Sequence, residues 1–318
     1  MRRALVAVVV LALAAPATAS AHLRTSHSAV DFRATVLPSG APVRARVYRA
    51  DLALGLTLVG HHRVLVLGYL DEPFIRLDPG GVFVNVASPT AAGTKLASPH
   101  PRSNRPLWHQ DWTRPIAVWH DARVRAGEKS GRWRIPLLVD GRRTFLAGTV
   151  ERVDAPAWWP WLAIGAAFAA VMTLGLRRRK LAAASLGALA GAATLLSAAG
   201  FVLASTATQG AWIEGANEAA FALVGALVLL RGSSDVKALA GGFLGLLALA
   251  AGLTKLPVLL HGIVLSALPG EVARLAVVVG IAAGAAAAVL GLVVFFDVLE
   301  HYEEPELSTA AEQSSAAR

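Results

Sequence analysis

No cysteine occurs anywhere in the 318 residues. Disulfide staples, thiolate metal sites, thiol nucleophiles and iron–sulfur clusters are therefore excluded. Methionine is limited to Met1 and Met172, which removes a thioether copper(I) site from the first half of the chain. Charge is also scarce: 16% of residues carry it, against about a quarter in soluble domains. Nucleotide and hydrolase signatures are missing as well. There is no Gly-x-Ser-x-Gly elbow, no Walker loop and no His-Glu-x-x-His. The paired acids Asp71-Glu72 are adjacent at a strand end, where neighbours point to opposite sides. Nothing resembles an acid/base pair, and no enzymatic activity is expected.

The low charge is unevenly spread. Residues 22–157 have the composition of a soluble domain, whereas Ala, Leu, Gly and Val dominate beyond Trp158. The net charge of +9 falls mostly in the first region, through Arg44, Arg46, Arg49, Arg102, Arg105, Arg123, Arg125, Arg132, Arg134, Arg142 and Arg143. Such a surface favours anionic partners such as phospholipid headgroups or an anionic surface polymer, and it could also dock another envelope protein. Nucleic acid is not expected on an exported face.

The start of the chain reads as a signal peptide, residues 1–21. Met1-Arg2-Arg3 is the positive region, Ala4 to Ala15 the apolar one, and Ala19-Ser20-Ala21 a small-x-small cleavage site. Twelve apolar residues are too few to cross a bilayer. Cleavage after Ala21 would make His22 the mature N-terminus.

From 22 to 157 short strands alternate with turns. Candidates are Val43–Val47, Leu52–Leu58, Arg63–Tyr69, Val82–Val86, Ile116–Trp119, Trp133–Val139 and Thr144–Val150. Asp140-Gly141 is a hairpin signature, and Pro79-Gly80-Gly81 a turn. The pattern predicts an exoplasmic, immunoglobulin-like all-β sandwich. Ser88–Pro115, rich in Pro, Ser, Arg and Asn, reads as one long loop.

The region 158–299 predicts an all-α membrane bundle of about five helices. Trp158-Trp159-Pro160-Trp161 is an aromatic belt, and Arg177-Arg178-Arg179-Lys180 a positive-inside stop. Expected crossings are Trp158–Leu176, Leu181–Ser205, Ala219–Leu230 with its flanks, Val236–Leu253 and Val272–Phe296. This places the first domain outside the plasma membrane and residues 300–318, an acidic disordered tail, in the cytoplasm. Leu256–Leu268, bounded by Pro257 and Pro269, is too short to cross without help and reads as interfacial or re-entrant; if it crosses, the count becomes six and the tail moves outside. Gly187/Gly191, Gly241/Gly245 and Gly280/Gly284 form small-xxx-small faces for close helix packing. Glu214, Glu218, Lys255, His261, Glu271 and Arg274 are expected near the outer interface.

One constellation suggests metal chemistry. A mature N-terminal His22 offers an α-amine and an imidazole together, and further histidines would complete the nitrogen-rich square plane that Cu(II) prefers. The candidate partners are His27, the adjacent His61-His62, His109 and His120-Asp121, with His22, His27, His62, His120 and Asp121 the expected set. A second reading of Trp119-His120-Asp121 is an Asp-initiated turn with His120 bonded to a loop carbonyl.

Three stretches carry a resemblance: Val66-Leu67-Gly68-Tyr69-Leu70-Asp71-Glu72-Pro73-Phe74-Ile75-Arg76-Leu77, then Gly81-Val82-Phe83-Val84-Asn85 with Ser88-Pro89, then Trp119-His120-Asp121. In order and spacing they resemble a family of uncharacterised actinobacterial integral membrane proteins with an exported β-sandwich. That family's last motif continues His-Asp-His-Arg-x-His-Trp-Met. Here Ala122 and Arg125 stand at the second and third histidine positions, and Ala126-Gly127 replaces Trp-Met. The resemblance implies the architecture and no activity. A start at His22, a sandwich and a membrane anchor are also similar to exported copper-handling proteins of the CopC type, which implies copper as a ligand class.

Overall fold

A computed structural model describes residues 28–94, 96, 105–124, 130–204 and 209–316, with the side chains of 209–215, 221 and 301–316 excepted. Residues 1–21, expected as a signal peptide, and the candidate ligands His22 and His27 lie outside the described residues. The chain divides into a β-rich unit, Val30–Asp154, and a helical unit containing Ala155–Arg318.

The β-rich unit contains ten strands among the described residues. They are β1 (Phe32–Val36), β2 (Val43–Tyr48), β3 (Ala53–Leu58), β4 (Val64–Leu67), β5 (Pro73–Asp78), β6 (Gly81–Asn85), β7 (Trp108–Trp112), β8 (Ile116–Trp119), β9 (Gly131–Val139) and β10 (Arg142–Arg152). A seven-stranded sheet runs β1-β10-β9-β4-β5-β6-β7, and a three-stranded sheet runs β2-β3-β8. Every pairing in both is antiparallel. The segment expected as a long loop instead holds β7 and a one-turn helix, α1 (Pro89–Gly93), whose first amides are capped by the Ser88 hydroxyl. Its polar composition hid the strand because β7 is an exposed edge with no buried face to imprint an apolar alternation.

Alternation explains how the two sheets share a core. On β9 and β10 the inward residues Trp133, Ile135, Leu137, Leu146 and Val150 are buried, as are Leu54, Leu56, Ala117 and Trp119 of the small sheet. Together with Val64, Val66, Phe74, Leu77 and Val82 they form one cluster. Phe74 meets Trp119 edge to face across the sandwich, with ring centroids 6.1 Å apart. Each such side chain stabilises the fold by about 1.5–3 kcal/mol relative to exposure. The β9–β10 hairpin closes through Asp140 (φ 48°) and Gly141 (φ 84°). Two successive positive φ angles match the twist of the flanking strands.

The helical unit contains α2 (Trp159–Gly175), a 3₁₀ turn at Leu176–Arg178, α3 (Arg179–Ala204), α4 (Gln209–Arg231), α5 (Ser234–Thr254), α6 (Pro257–Leu260) and α7 (Gly270–Ala316). Among the described residues, three stretches are long and apolar enough to cross a membrane: Trp159–Ala204, Ser234–Thr254 and Gly270–Glu300. This is consistent with a membrane protein. The backbones meet at glycine. A Cβ on Gly187 would strike the Gly241 backbone, and Gly245 and Gly242 stand in the same relation to Gly284 and Gly291. Helix α7 continues to Ala316, through the acidic segment that the sequence reads as a disordered tail.

Pro257–Pro269 contains no long helix. The buried Arg274 holds its irregular backbone, with Nε donating to Val258 O (3.2 Å) and Nη2 to His261 O (3.0 Å) and Gly262 O (2.8 Å). Irregular backbone away from water requires such donors. Within the same unit the Leu265 amide donates to Ser28 O, and Ala29 packs with Val258, Leu259, Val277 and Val278.

Candidate docking face of the β-rich unit

The residues after β4 make a tight loop, Gly68–Glu72. Tyr69 and Leu70 stand outside, 43% and 75% exposed, and Asp71 sits at φ 61°. A non-glycine residue in that region needs support from its surroundings, and here the support is a dense polar lock.

Glu72 is the first half of it. Its Oε1 accepts from Ser88 Oγ (2.7 Å), Thr90 Oγ1 (2.7 Å) and Thr90 N–H (3.2 Å), and its Oε2 accepts from Leu70 N–H (3.0 Å). Burial pushes this carboxyl up, but the hydrogen bonds from Thr90, Ser88 and Leu70 outweigh it and hold Glu72 below its ordinary value. A side chain on Gly68 would collide with Glu72 and Thr90, so only glycine lets the strand pass at this point.

Asp121 and Arg123 are the second half. Arg123 grips the fully buried Asp121 carboxylate with Nε to Oδ1 (2.9 Å) and Nη2 to Oδ2 (2.8 Å). Its Nη1 donates to Leu67 O (2.9 Å) and Gly68 O (3.2 Å), at the end of β4. Trp119 Nε1–H also donates to Asp121 Oδ2 (2.9 Å), and the Ala122 amide donates to Tyr69 Oη (2.9 Å). Asp121 Oδ1 accepts the Arg123 amide (2.9 Å), which makes an Asp-initiated turn. His120 Nδ1–H donates to Leu52 O (2.6 Å). The Tyr69-to-Glu72, Ser88 and Trp119-to-Arg123 motifs thus converge on one rigid loop.

His62 stands elsewhere. Its Nδ1–H donates to Asp140 Oδ2 (2.7 Å) in the β9–β10 turn, and the Arg63 amide donates to Asp140 Oδ1 (2.9 Å). Those two hydrogen bonds, the amide first, hold the Asp140 carboxyl below its ordinary value. His62 precedes β4, whereas Arg123 and Asp121 anchor to Leu67 at its far end. Five residues of extended chain separate His62 from Leu67 by roughly 16 Å. His62 and Asp121 therefore do not meet at one ion, and both Asp121 oxygens are already engaged. Among the described residues, no three His, Asp or Glu side chains gather in an arrangement that could hold a metal.

The locked loop borders the outward face of the seven-stranded sheet. Asp71 bonds Arg143 Nη2 with both oxygens (3.0 and 2.9 Å). The register sets one row across the sheet: Arg143, Leu138, Leu65, Arg76, Phe83. The next row on the same face pairs Phe145 with Pro136, and the following ones pair Ala147 with Arg134 and Thr149 with Arg132. Phe145 is 46% exposed, and Leu65, Pro136 and Leu138 are half-buried. The Arg76 guanidinium lies 4.1 Å from the Phe83 ring centroid and 5.0 Å from that of Trp108. Arg132 and Arg134 are exposed and lie opposite Thr149 and Ala147 on the paired strand. The solvent side of this sheet is thus apolar and aromatic at its centre and ringed by arginines, of which Arg76 pairs with Asp78 (3.1 Å) and Arg143 with Asp71, while Arg132 and Arg134 are exposed.

The sequence motifs marked the lock and missed the face. The available signal was a broken alternation: Leu137-Leu138 and Phe145-Leu146 put apolar residues on both sides of a strand that otherwise alternates. No protein-family model, curated protein or solved structure matches this chain.

Proposed function

We propose that the chain is an exported, multi-pass envelope protein whose immunoglobulin-like sandwich docks a second, acidic envelope protein. The observation that carries the docking reading is the outward face of the seven-stranded sheet, where Leu65, Pro136, Leu138 and Phe145 lie among arginines. Aromatic residues and arginine are enriched at the centres of protein interfaces, where they supply most of the affinity. The apolar centre favours a protein over an anionic surface polymer, which offers nothing apolar to cover it. The rigid Gly68–Glu72 loop beside it presents Tyr69 and Leu70 in a fixed pose, which lowers the entropy lost on binding. The copper reading rests on His22 and His27 and gains no geometry from the described residues.

Two arguments support five crossings in a plasma membrane: α2, α3, α4, α5 and the first part of α7. Trp159–Ala204 is 46 residues long, about twice one span, and the basic run 177–180 divides it. Ion pairs also cluster at both ends. Lys180 meets Asp235 and Arg179 meets Asp297 at one, and Lys255 meets Glu218 and Arg274 meets Glu271 at the other. Asp235 and Lys255 flank α5 at a helical separation of about 30 Å, the thickness of a hydrocarbon core. The docking reading is tested with a photo-reactive phenylalanine placed at Leu138 or Phe145 in the full chain in its own membrane. A discrete adduct with an acidic envelope protein is expected there, and none from the same probe at Ile116 on the small sheet. Equal labelling at all three positions would sink the idea.

A further inference from the structure

We propose that the helical unit binds one buried water molecule, which completes a polar network across α3, α4 and the end of α5. The inference is independent of the docking reading. It starts from Ser197, which is 3% exposed and whose Oγ has no hydrogen-bond partner among the described residues. A hydroxyl buried in that way is costly unless something pairs with it.

Ser197 lines a cavity of about 10 Å³ together with Thr194 and Lys255, and Ala248, Gly252 and Gly280 complete its wall. The small residues leave the space, and the three polar ones supply the chemistry. Lys255 Nζ carries three N–H donors. Two serve Glu218, at 2.9 Å to Oε1 and 2.9 Å to Oε2, which leaves one for the cavity. Thr194 gives its own proton to Ala190 O (2.9 Å) and keeps an oxygen able to accept.

A water molecule satisfies all three. It accepts from Lys255, donates to Thr194 Oγ1, and pairs with Ser197 Oγ. Three partners is the usual number for a buried water, and the volume admits one water and nothing larger. A metal cation is disfavoured beside the Lys255 ammonium. The bound water links α3 to Lys255, and Lys255 in turn holds Glu218 of α4.

The test is a structure of the full chain in lipid nanodiscs, at a resolution that places ordered solvent, beside the same structure of Ser197→Val. A peak within hydrogen-bond distance of both Ser197 Oγ and Lys255 Nζ is expected in the parent and absent in the variant, whose methyls occupy the site. No peak in the parent, or a peak that persists in Ser197→Val, overturns the proposal. If that variant does not fold, the parent map decides alone.

Discussion

The two units solve opposite packing problems. The sandwich buries large side chains and adds a directional lock, in which Asp121 and Glu72 accept from backbone and side-chain donors and Arg123 donates to Asp121 and to the Leu67 carbonyl, with little redundancy. The helical unit has few such bonds. Its helices approach until backbone meets backbone at Gly187, Gly241, Gly245 and Gly284. The difference follows from the surroundings each unit is read to occupy. In water, apolar burial brings the sheets together, and polar bonds select one loop geometry. In lipid that driving force is missing, so close van der Waals contact between small residues must replace it.

If the sandwich depends on its lock, Asp121→Ala is the largest single perturbation. It leaves Arg123 without its partner and Trp119 Nε1 without an acceptor, at a cost of about 3–5 kcal/mol. Urea unfolding followed by tryptophan fluorescence measures this, and a loss under about 1 kcal/mol would mean that the lock is decoration. Gly187→Val probes the other mode. Its side chain must displace the Gly241 backbone, at about 1–3 kcal/mol, read as a drop of several degrees in the melting temperature of the detergent-solubilised chain. Unchanged melting would show that the helices can separate freely there.

The smallest effect is acid sensitivity. Glu72 titrates below its ordinary value of 4.5 in the fold. The native state therefore holds its proton less tightly than the unfolded chain. The stabilisation is complete above the ordinary value and disappears as pH falls through the lowered one. Sandwich stability measured from pH 6 to pH 3 should decline in that window, and Glu72→Gln should flatten this part of the decline. An identical slope in both chains would remove Glu72 from the lock.

Much of the architecture was legible because both halves write period-two or small-residue patterns into the chain. Strand β8 coincides with the predicted Ile116–Trp119, and the Asp140-Gly141 turn closes the hairpin it signals. Trp119-His120-Asp121 forms the Asp-initiated turn, with His120 on the Leu52 carbonyl. Three strands escaped notice. Trp108–Trp112 is a sheet edge with mostly exposed residues, Phe32–Val36 is a short edge strand with only Ala34 fully buried, and Pro73–Asp78 starts at a proline beside a bulge. The docking face was harder still. Its members come from β4, β5, β6, β9 and β10, and only the register brings Leu65 beside Leu138 and Arg76. The sequence places Lys255 and Glu218 near one interface, but their pairing across 37 residues of sequence needs the fold.

The central claim is that an acidic partner covers the cationic, apolar-centred face. It is tested most directly by the yield of the photo-adduct at Phe145 when Arg132→Glu and Arg134→Glu are introduced together in the full membrane-embedded chain. Both arginines are exposed and opposite uncharged residues, so the fold should tolerate the change. Charge reversal at an interface rim slows association and repels the partner, and a fall in yield of about tenfold is predicted, with melting unchanged. An adduct that forms with the parent yield would contradict the account.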